Sequence, residues 1–200
     1  MKRIVLCILG LAMAAGVHAK TLLVLGDSLS AEYGLSRGQG WAALLQQKLR
    51  EGGSDYTVAN ASISGETSSG GLARLPALLA QHKPQVLVIE LGANDGLRGL
   101  QLKATEENFR KMIAAGKAAG ARILLVGMRI PPNYGQDYSE GFYAMYGKLA
   151  KSAKLPLVNF LLEPIAAKPE MFQSDRRHPV AAAQPLLLEN IWPQLKLLLK

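Results

Sequence analysis

Apolar stretches of strand length recur five times along the chain, separated by segments in which apolar residues follow helical spacing. The stretch VLVIEL at 86–91 is typical of the first kind. The segment 39–51 is typical of the second, because Trp41, Leu45 and Leu49 recur every four residues and two glycines follow it. We predict strands at 21–26, 56–61, 85–91, 121–128 and 155–160, and helices at 39–51, 72–81, 105–119, 139–153 and 181–199.

The predicted strands show no regular alternation between apolar and polar residues. A strand that is apolar on both faces needs cover on both faces, which is typical of a parallel sheet between two layers of helices. The repeated alternation of strand and helix therefore predicts a three-layer α/β/α domain around a five-stranded parallel sheet. In such sheets ligands bind at the loops beyond the carboxyl ends of the strands, so the residues there are the first candidates for function.

The first 19 residues differ from the rest of the chain. Lys2 and Arg3 precede an apolar run at 4–15, and small or compact residues lead to Ala19, a pattern typical of a cleaved export signal. A run of about a dozen apolar residues is shorter than the ~20 that span a bilayer. We predict a signal peptide at 1–19, a periplasmic location, and one domain at 20–200, since no repeat or linker divides it.

Charge and cysteine content limit the expected partners. The net charge of +8 falls to +6 without Lys2 and Arg3, and it favours transient contact with anionic membrane surfaces. The basic residues do not alternate with aromatic ones, so no nucleic-acid partner is expected. Cys7, the only cysteine, lies in the predicted signal peptide, and two histidines follow residue 19. We therefore expect no disulfide and no His-rich zinc site. We also expect no organic cofactor, and we take a monomer as the default state.

Small polar residues follow the first three predicted strands. These strands run into GDSLS at 26–30, NASISG at 60–65 and GAND at 92–95. Glycine lets a backbone approach a ligand closely, and serine and asparagine supply short hydrogen-bonding groups. Near the end of the chain, DRRHP at 175–179 precedes the last predicted helix. We expect these loops to meet at one edge of the sheet.

Ser28, Asp175 and His178 are candidates for a catalytic triad. A serine hydroxyl attacks a carbonyl when a base takes its proton and a carboxylate orients that base. The chain order Ser, Asp, His occurs on other α/β hydrolytic folds. Candidate oxyanion donors are the backbone N–H groups of Ser28 and Gly65 and the side-chain amide of Asn94. The residues alone leave open that Ser28 caps a helix and that Gly65 and Asn94 only form turns.

Four stretches together resemble the signature blocks of the GDSL, or SGNH, hydrolases. They are GDSL at 26–29, the glycine block at 60–65, GAND at 92–95 and DRRH at 175–178. Their order matches the family, and they span most of the chain after residue 19. The four signature residues of the family then fall on Ser28, Gly65, Asn94 and His178.

The resemblance implies a flavodoxin-like fold and a serine esterase and thioesterase that forms an acyl-enzyme. It implies aryl esters, lysophospholipids and acyl-CoA as substrates. It also implies that the loop 129–134, with Ile130, Pro131 and Tyr134, forms a wall of the groove for the acyl chain. Two alternatives stay open on the same fold, namely a carbohydrate esterase that removes acetyl groups and a lipid- or glycan-binding module without catalysis.

One departure from the family pattern lies inside the last block. Glycine commonly follows the aspartate, whereas this chain has Arg176 and then Arg177. If the position requires a positive φ, arginine is strained there. Guanidinium groups at this place also disfavour the imidazolium that His178 must become. We hypothesise that the two arginines help to hold anionic substrates such as phospholipid or acyl-CoA phosphates.

Overall fold

The computed structural model describes residues 20–200, so the predicted signal peptide at 1–19 lies outside the described residues. The described residues form a five-stranded, all-parallel sheet in the order β2-β1-β3-β4-β5. This confirms the predicted sheet, and the order is that of flavodoxin-like folds. The strands are β1 (Lys20–Gly26), β2 (Tyr56–Asn60), β3 (Val86–Glu90), β4 (Arg122–Val126) and β5 (Leu157–Val158).

Helices cover both faces of the sheet, as the two-sided apolar strands predicted. A right-handed crossover from β1 to β2 places α1 on one face. The later strands are added in the opposite direction, which places α2, α4 and α5 on the other face, where α4 packs between α2 and α5. The last helix packs against α1. Within residues 20–200 the helices are α1 (Trp41–Glu51), α2 (Ser68–His82), α3 (Ala93–Leu97), α4 (Leu102–Ala118), α5 (Gln136–Ala153) and α6 (Gln184–Leu195).

Several boundaries differ from the prediction. α2 begins before residue 72, because the Thr67 hydroxyl accepts a hydrogen bond from the N–H of Gly70 and caps the helix. β5 begins after Pro156, which has no N–H for the ladder, and ends at Val158, before the predicted boundary at 160. The segment 181–199 contains α6 with a 3₁₀ turn at each end. The short helix α3 was not predicted, since five residues are too few to show a helical period.

The turns after β1 and β3 begin side by side. Gly26 pairs with Glu90 in the register of the two strands, so GDSLS and GAND leave the sheet at neighbouring points. All residues of β3 are buried, including Glu90. In the part of the chain that the structure describes, no helix has the length and apolar composition needed to cross a membrane.

Candidate active site

Ser28 lies in the turn that follows β1, with its side chain half-buried. Gly26 makes this turn sterically feasible, because a Cβ there would lie 2.8 Å from Oε2 of Glu90 and from the side chain of Ser30. The Oγ of Ser28 lies 2.9 Å from Nε2 of His178. Among the described residues it accepts no hydrogen bond from a helix N-terminus, so this hydroxyl faces the imidazole and does not cap a helix.

Asp175 and His178 lie on the loop that precedes α6. The Nδ1 of His178 is 2.5 Å from Oδ2 of Asp175. The other carboxylate oxygen accepts hydrogen bonds from the backbone N–H groups of Arg177 and His178, at 2.9 and 3.0 Å. The hydrogen bond with His178 is the main reason why the pKa of Asp175 is lowered to about 2. The carboxylate therefore stays ionised at neutral pH and can accept a charge-assisted hydrogen bond from the imidazole.

Two residues that the sequence analysis did not identify hold this loop in place. The ring of Tyr33 packs on the imidazole of His178, with 4.2 Å between the ring centroids. The Nε2 of Gln173 donates to the carbonyl oxygens of Tyr33 and Pro179, at 2.9 and 3.1 Å. These contacts tie the loop after β1 to the loop that carries His178. Neither side chain belongs to a motif, so only the fold reveals them.

The three candidate oxyanion donors come from different elements. Among the described residues, the backbone N–H groups of Ser28 and Gly65 have no hydrogen-bond acceptor. Gly65 has a φ of +79°, which glycine adopts without strain. Asn94 lies in α3, and its Nδ2 donates to the carbonyl of Glu66 at 2.9 Å and to Oδ2 of Asp27 at 3.3 Å. The amide of Asn94 is thus held in one orientation by the protein itself.

Two buried carboxyl groups lie beneath the turn that carries Ser28. Asp27 accepts from the N–H of Leu29 at 3.0 Å as well as from Asn94. Glu90 accepts from the hydroxyl of Ser30 at 2.6 Å. Burial is the main cause that raises the pKa of Asp27 to about 7 and the pKa of Glu90 well above its usual range, and each carboxyl adds to the effect on the other. The pair therefore retains protons at pH values where exposed carboxyl groups are ionised.

We expect the two buried carboxyl groups to make stability decline as the pH rises from about 4 to about 7. Unfolded Asp27 loses its proton near its ordinary pKa of 3.8, whereas folded Asp27 keeps it until about 7, so the folded state binds more protons in this range. Glu90→Gln keeps an acceptor for Ser30, removes one buried acid, and should make the decline shallower. Urea unfolding of both proteins at pH 5 and pH 8 measures the effect. Equal pH dependence in both proteins would contradict the assignment.

Arg176 adopts the left-handed backbone conformation, with a φ of +55°. Its N–H donates to the carbonyl of Gln173 at 2.9 Å and closes a turn. This conformation costs a residue with a Cβ about 1 kcal/mol or more relative to glycine. Position 176 therefore does require a positive φ, and arginine is strained there where glycine would not be.

Replacing Arg176 by glycine should consequently stabilise the protein. A gain of about 1 kcal/mol corresponds to a rise in Tm of about 2–4 °C for a domain of this size. Arg177 has no positive φ, so Arg177→Gly is a matched control that should lower Tm or leave it unchanged. Thermal unfolding followed by circular dichroism provides the measurement. A lower Tm for Arg176→Gly would show that the arginine side chain stabilises the loop more than its backbone strains it.

A cavity of about 260 Å³ opens beside Ser28 and His178. Its walls are mostly apolar, and they include Ile130 and Pro131 from the loop after β4. Tyr134, the third residue predicted to form this wall, is 38 % exposed and does not line the cavity. Asn94 also lines the cavity, whereas Gly65 does not. The other apolar walls come from Leu29, Ala93, Leu97, Met128, Phe160, Leu162, Ala166 and Phe172.

The sheet has this parallel strand order, and a serine, a histidine and an aspartate are in hydrogen-bond contact at its carboxyl edge. This is the architecture of the three-layer serine hydrolases. The chain belongs to the GDSL-like lipase/acylhydrolase family, whose sequence profile matches residues 24–185. It is therefore a hydrolase, and the resemblance of the four sequence blocks to this family is confirmed.

Relatives with known names share most of the chain. Esterase TesA of Pseudomonas aeruginosa is 52% identical over 193 residues, which cover 96% of each chain. The Escherichia coli K12 protein named thioesterase 1/protease 1/lysophospholipase L1 is 49% identical, covering 89% of this chain and 84% of its relative. Among solved structures, the esterase EstA from Pseudoalteromonas sp., inhibited by monoethylphosphonate, is 44% identical with a TM-score of 0.85, covering 88% and 97%.

A more distant likeness concerns the alternative of a carbohydrate esterase. An acetylxylan esterase from Geobacillus stearothermophilus matches with a TM-score of 0.74 over 88% of this chain and 94% of its own, at 20% identity. At that identity the likeness shows the shared fold alone. The relatives with high identity are instead an esterase and a thioesterase/lysophospholipase.

Proposed function

We propose that this protein hydrolyses acyl esters and thioesters, with Ser28 as nucleophile, His178 as general base and Asp175 as the residue that orients the imidazole. The observation that carries the proposal is the pair of contacts that joins these side chains, 2.9 Å from Oγ to Nε2 and 2.5 Å from Nδ1 to Oδ2. Ser28 and His178 are 150 positions apart in the sequence, so the fold, and not the local chain, brings them together.

The reaction takes place in two acyl transfers. In the first, His178 takes the proton of Ser28 while Oγ attacks the carbonyl carbon, and the leaving alcohol or thiol departs with that proton. In the second, His178 takes a proton from water, the water oxygen attacks the acyl-enzyme, and Ser28 regains its proton as the carboxylic acid is released. Asp175 stabilises the imidazolium that forms in both steps.

The negative charge that develops on the carbonyl oxygen is received by the N–H groups of Ser28 and Gly65 and by the amide of Asn94. The unpaired state of the two N–H groups supports this role, because donors already in place need no reorganisation during the reaction. Asn94 contributes by exchanging its longer hydrogen bond, the one of 3.3 Å to Asp27, for the substrate oxygen.

Asn94→Ala should reduce kcat about 100- to 1,000-fold with a small change in KM, because the donor acts mainly on the transition state. The Asn190 amide makes a useful control, since its Nδ2 also donates to two backbone carbonyls, those of Phe160 and Leu161, but lies outside the cavity. Asn190→Ala should therefore leave kcat close to that of the wild type. Steady-state kinetics on a p-nitrophenyl ester compares them, and similar losses in both variants would assign the effect to structure.

The apolar walls of the cavity support a hydrocarbon acyl chain as the part of the substrate that enters it. Aryl esters, lysophospholipids and acyl-CoA all carry such a chain on an ester or thioester. Kinetics on p-nitrophenyl esters of increasing chain length, with acetylated xylo-oligosaccharides in parallel, test this choice. Activity on the acetylated sugars with none on medium-chain esters would favour the carbohydrate esterase instead.

The direct test of the proposed chemistry is covalent labelling. A fluorophosphonate should phosphonylate Ser28, and peptide mass spectrometry should locate the adduct on that residue. The solved relative inhibited by monoethylphosphonate supports this choice of probe. Ser28→Ala should abolish labelling, whereas Ser36→Ala, a change at an exposed serine outside the cavity, should leave it intact. A folded wild-type protein that stays unlabelled would overturn the proposal.

We also propose export to the periplasm with removal of residues 1–19, after which the protein acts as a monomer that contacts anionic membranes transiently. The basic start, the apolar run and the small or compact residues at positions 17 and 19 support the export signal. Amino-terminal sequencing of the protein from the periplasmic fraction should begin at Lys20. A chain that keeps its first 19 residues in the cytoplasm would exclude this location.

A further inference from the structure

Two exposed arginines stand next to the proposed base, at the mouth of the acyl cavity. Arg176 and Arg177 directly precede His178 in the chain, and both line the cavity that contains Ser28. The cavity wall is otherwise mostly apolar, so these side chains are an unusual addition to a site for hydrocarbon.

Neither guanidinium has an anionic partner in the described part of the chain. No carboxylate lies within 4.0 Å of them, whereas Arg74 and Arg110 each form an ion pair. Their side chains also form no hydrogen bond with residues 20–200. Asp175 contacts Arg177 through its backbone N–H and not through its guanidinium. The donors of both guanidinium groups are thus available to a ligand. Arg129, which lines the same cavity, instead lies 3.9 Å from the ring centroid of Tyr143.

Arg176 has a cost that a merely solvated surface residue would avoid. Arg176 occupies a strained, left-handed conformation that glycine would relieve. Strain that persists at a functional site points to a function that offsets it.

The position of the arginines indicates which part of the substrate they meet. Under the proposed mechanism, His178 gives its proton to the leaving group, so that group must lie against the imidazole. The adjacent residues are then closest to the alcohol or thiol portion, while the acyl chain lies against the apolar walls. Two planar guanidinium groups suit a phosphate, which carries up to two negative charges and accepts paired hydrogen bonds.

We propose that Arg176 and Arg177 form a subsite for a phosphate on the leaving group, so that the enzyme prefers acyl esters and thioesters whose alcohol or thiol portion is phosphorylated. This inference rests on the proposed function and narrows its substrate class. The phosphate has two natural sources, the headgroup of a lysophospholipid and the nucleotide portion of acyl-CoA.

Two matched substrate pairs separate the phosphate from the rest of the substrate. The first compares octanoyl-lysophosphatidate with monooctanoylglycerol, both below their critical micelle concentrations. The second compares octanoyl-4′-phosphopantetheine, which carries one of the phosphates of acyl-CoA, with octanoyl-pantetheine. Within each pair the acyl chain and the bond to be broken are the same, and one member lacks phosphate. The double variant Arg176→Gly/Arg177→Ala is compared with the wild type and with Arg50→Ala, which removes an exposed arginine outside the cavity.

The double variant should lose about 10- to 100-fold in kcat/KM on the phosphorylated members, mainly through KM, and almost nothing on the neutral ones. The wild-type preference for phosphate should weaken as salt is raised, and this dependence should be absent in the double variant. Arg50→Ala should behave as the wild type. A loss on only one pair would assign the subsite to that source of phosphate.

Equal losses on the phosphorylated and neutral members, or no loss on either, would overturn the subsite. These results leave the proposed chemistry standing, because hydrolysis of the neutral members tests it separately. A wild-type protein that hydrolyses none of the four substrates would instead overturn the proposed function, and the subsite with it.

Discussion

Ser28→Ala is expected to reduce kcat/KM for acyl esters by about 10⁴- to 10⁶-fold without unfolding the protein. Alanine has no oxygen to attack the carbonyl, so no acyl-enzyme can form. The residual rate reflects binding and the oxyanion donors, which the substitution leaves in place. Since Ser28 and His178 act as one unit in the proposed mechanism, the double variant Ser28→Ala/His178→Ala should be about as slow as Ser28→Ala alone.

The Ser28 variant should keep the Tm of the wild type within a few degrees, because the residue is half-buried and its hydroxyl forms a hydrogen bond only with the imidazole among the described residues. Ser36→Ala again serves as the control for removing a serine hydroxyl. Hydrolysis is followed with a p-nitrophenyl ester, with enzyme concentrations high enough to resolve small residual rates. Function retained in Ser28→Ala would instead favour the binding module that the sequence left open.

Asp175→Asn should reduce kcat by about 10⁴-fold. The asparagine oxygen can still accept from the backbone N–H groups of Arg177 and His178, so the loop should keep its shape. The asparagine NH₂ would then face Nδ1 of His178 as a donor. The imidazole must respond with the tautomer that carries its proton on Nε2, and in that form it cannot take the proton of Ser28.

The control for this variant is Glu170→Gln, which removes one exposed negative charge from the same part of the chain. It should change kcat little, because it touches neither the imidazole nor the cavity. A second measurement compares the pH dependence of kcat in the wild type, Asp175→Asn and Glu170→Gln. The low pKa of Asp175 keeps it charged throughout the neutral range, so titration of Asp175 itself should not change kcat in that range. A loss below tenfold in Asp175→Asn would show that the imidazole is oriented by other contacts, such as its packing on Tyr33.

The sheet and its two helical layers were predictable because a strand that is buried on both faces has apolar residues at successive positions. The loops with Ser28 and Asn94 were predictable for the same reason, since their residues end such strands. Glu90 was read as part of an apolar strand, because nothing local shows that its carboxyl group lies under the turn of Ser28. The contact of Tyr33 with His178 joins residues far apart in the chain, and no periodicity reports such a contact.

The sequence predicted strain at position 176 only if that position has a positive φ. The departure from glycine is visible in the sequence, but the φ of Arg176 depends on the turn closed by Gln173 and on the hydrogen bonds of Asp175. The absence of a counter-ion for that side chain among the described residues likewise depends on where every acidic residue lies. Sequence patterns identify which groups can react, while their protonation and pairing follow from the assembled fold.

The separation of the proposed nucleophile and base along the chain has a consequence for the time at which reactivity appears. Ser28 follows the first strand, whereas His178 precedes the last helix, so an emerging, unfolded polypeptide holds the two groups roughly tens of ångströms apart. Such a chain has an inert hydroxyl and can pass lipids and thioesters in its own cell without harming them. Hydrolytic capacity then begins only when the whole sheet has closed, at the place where the chain completes its folding.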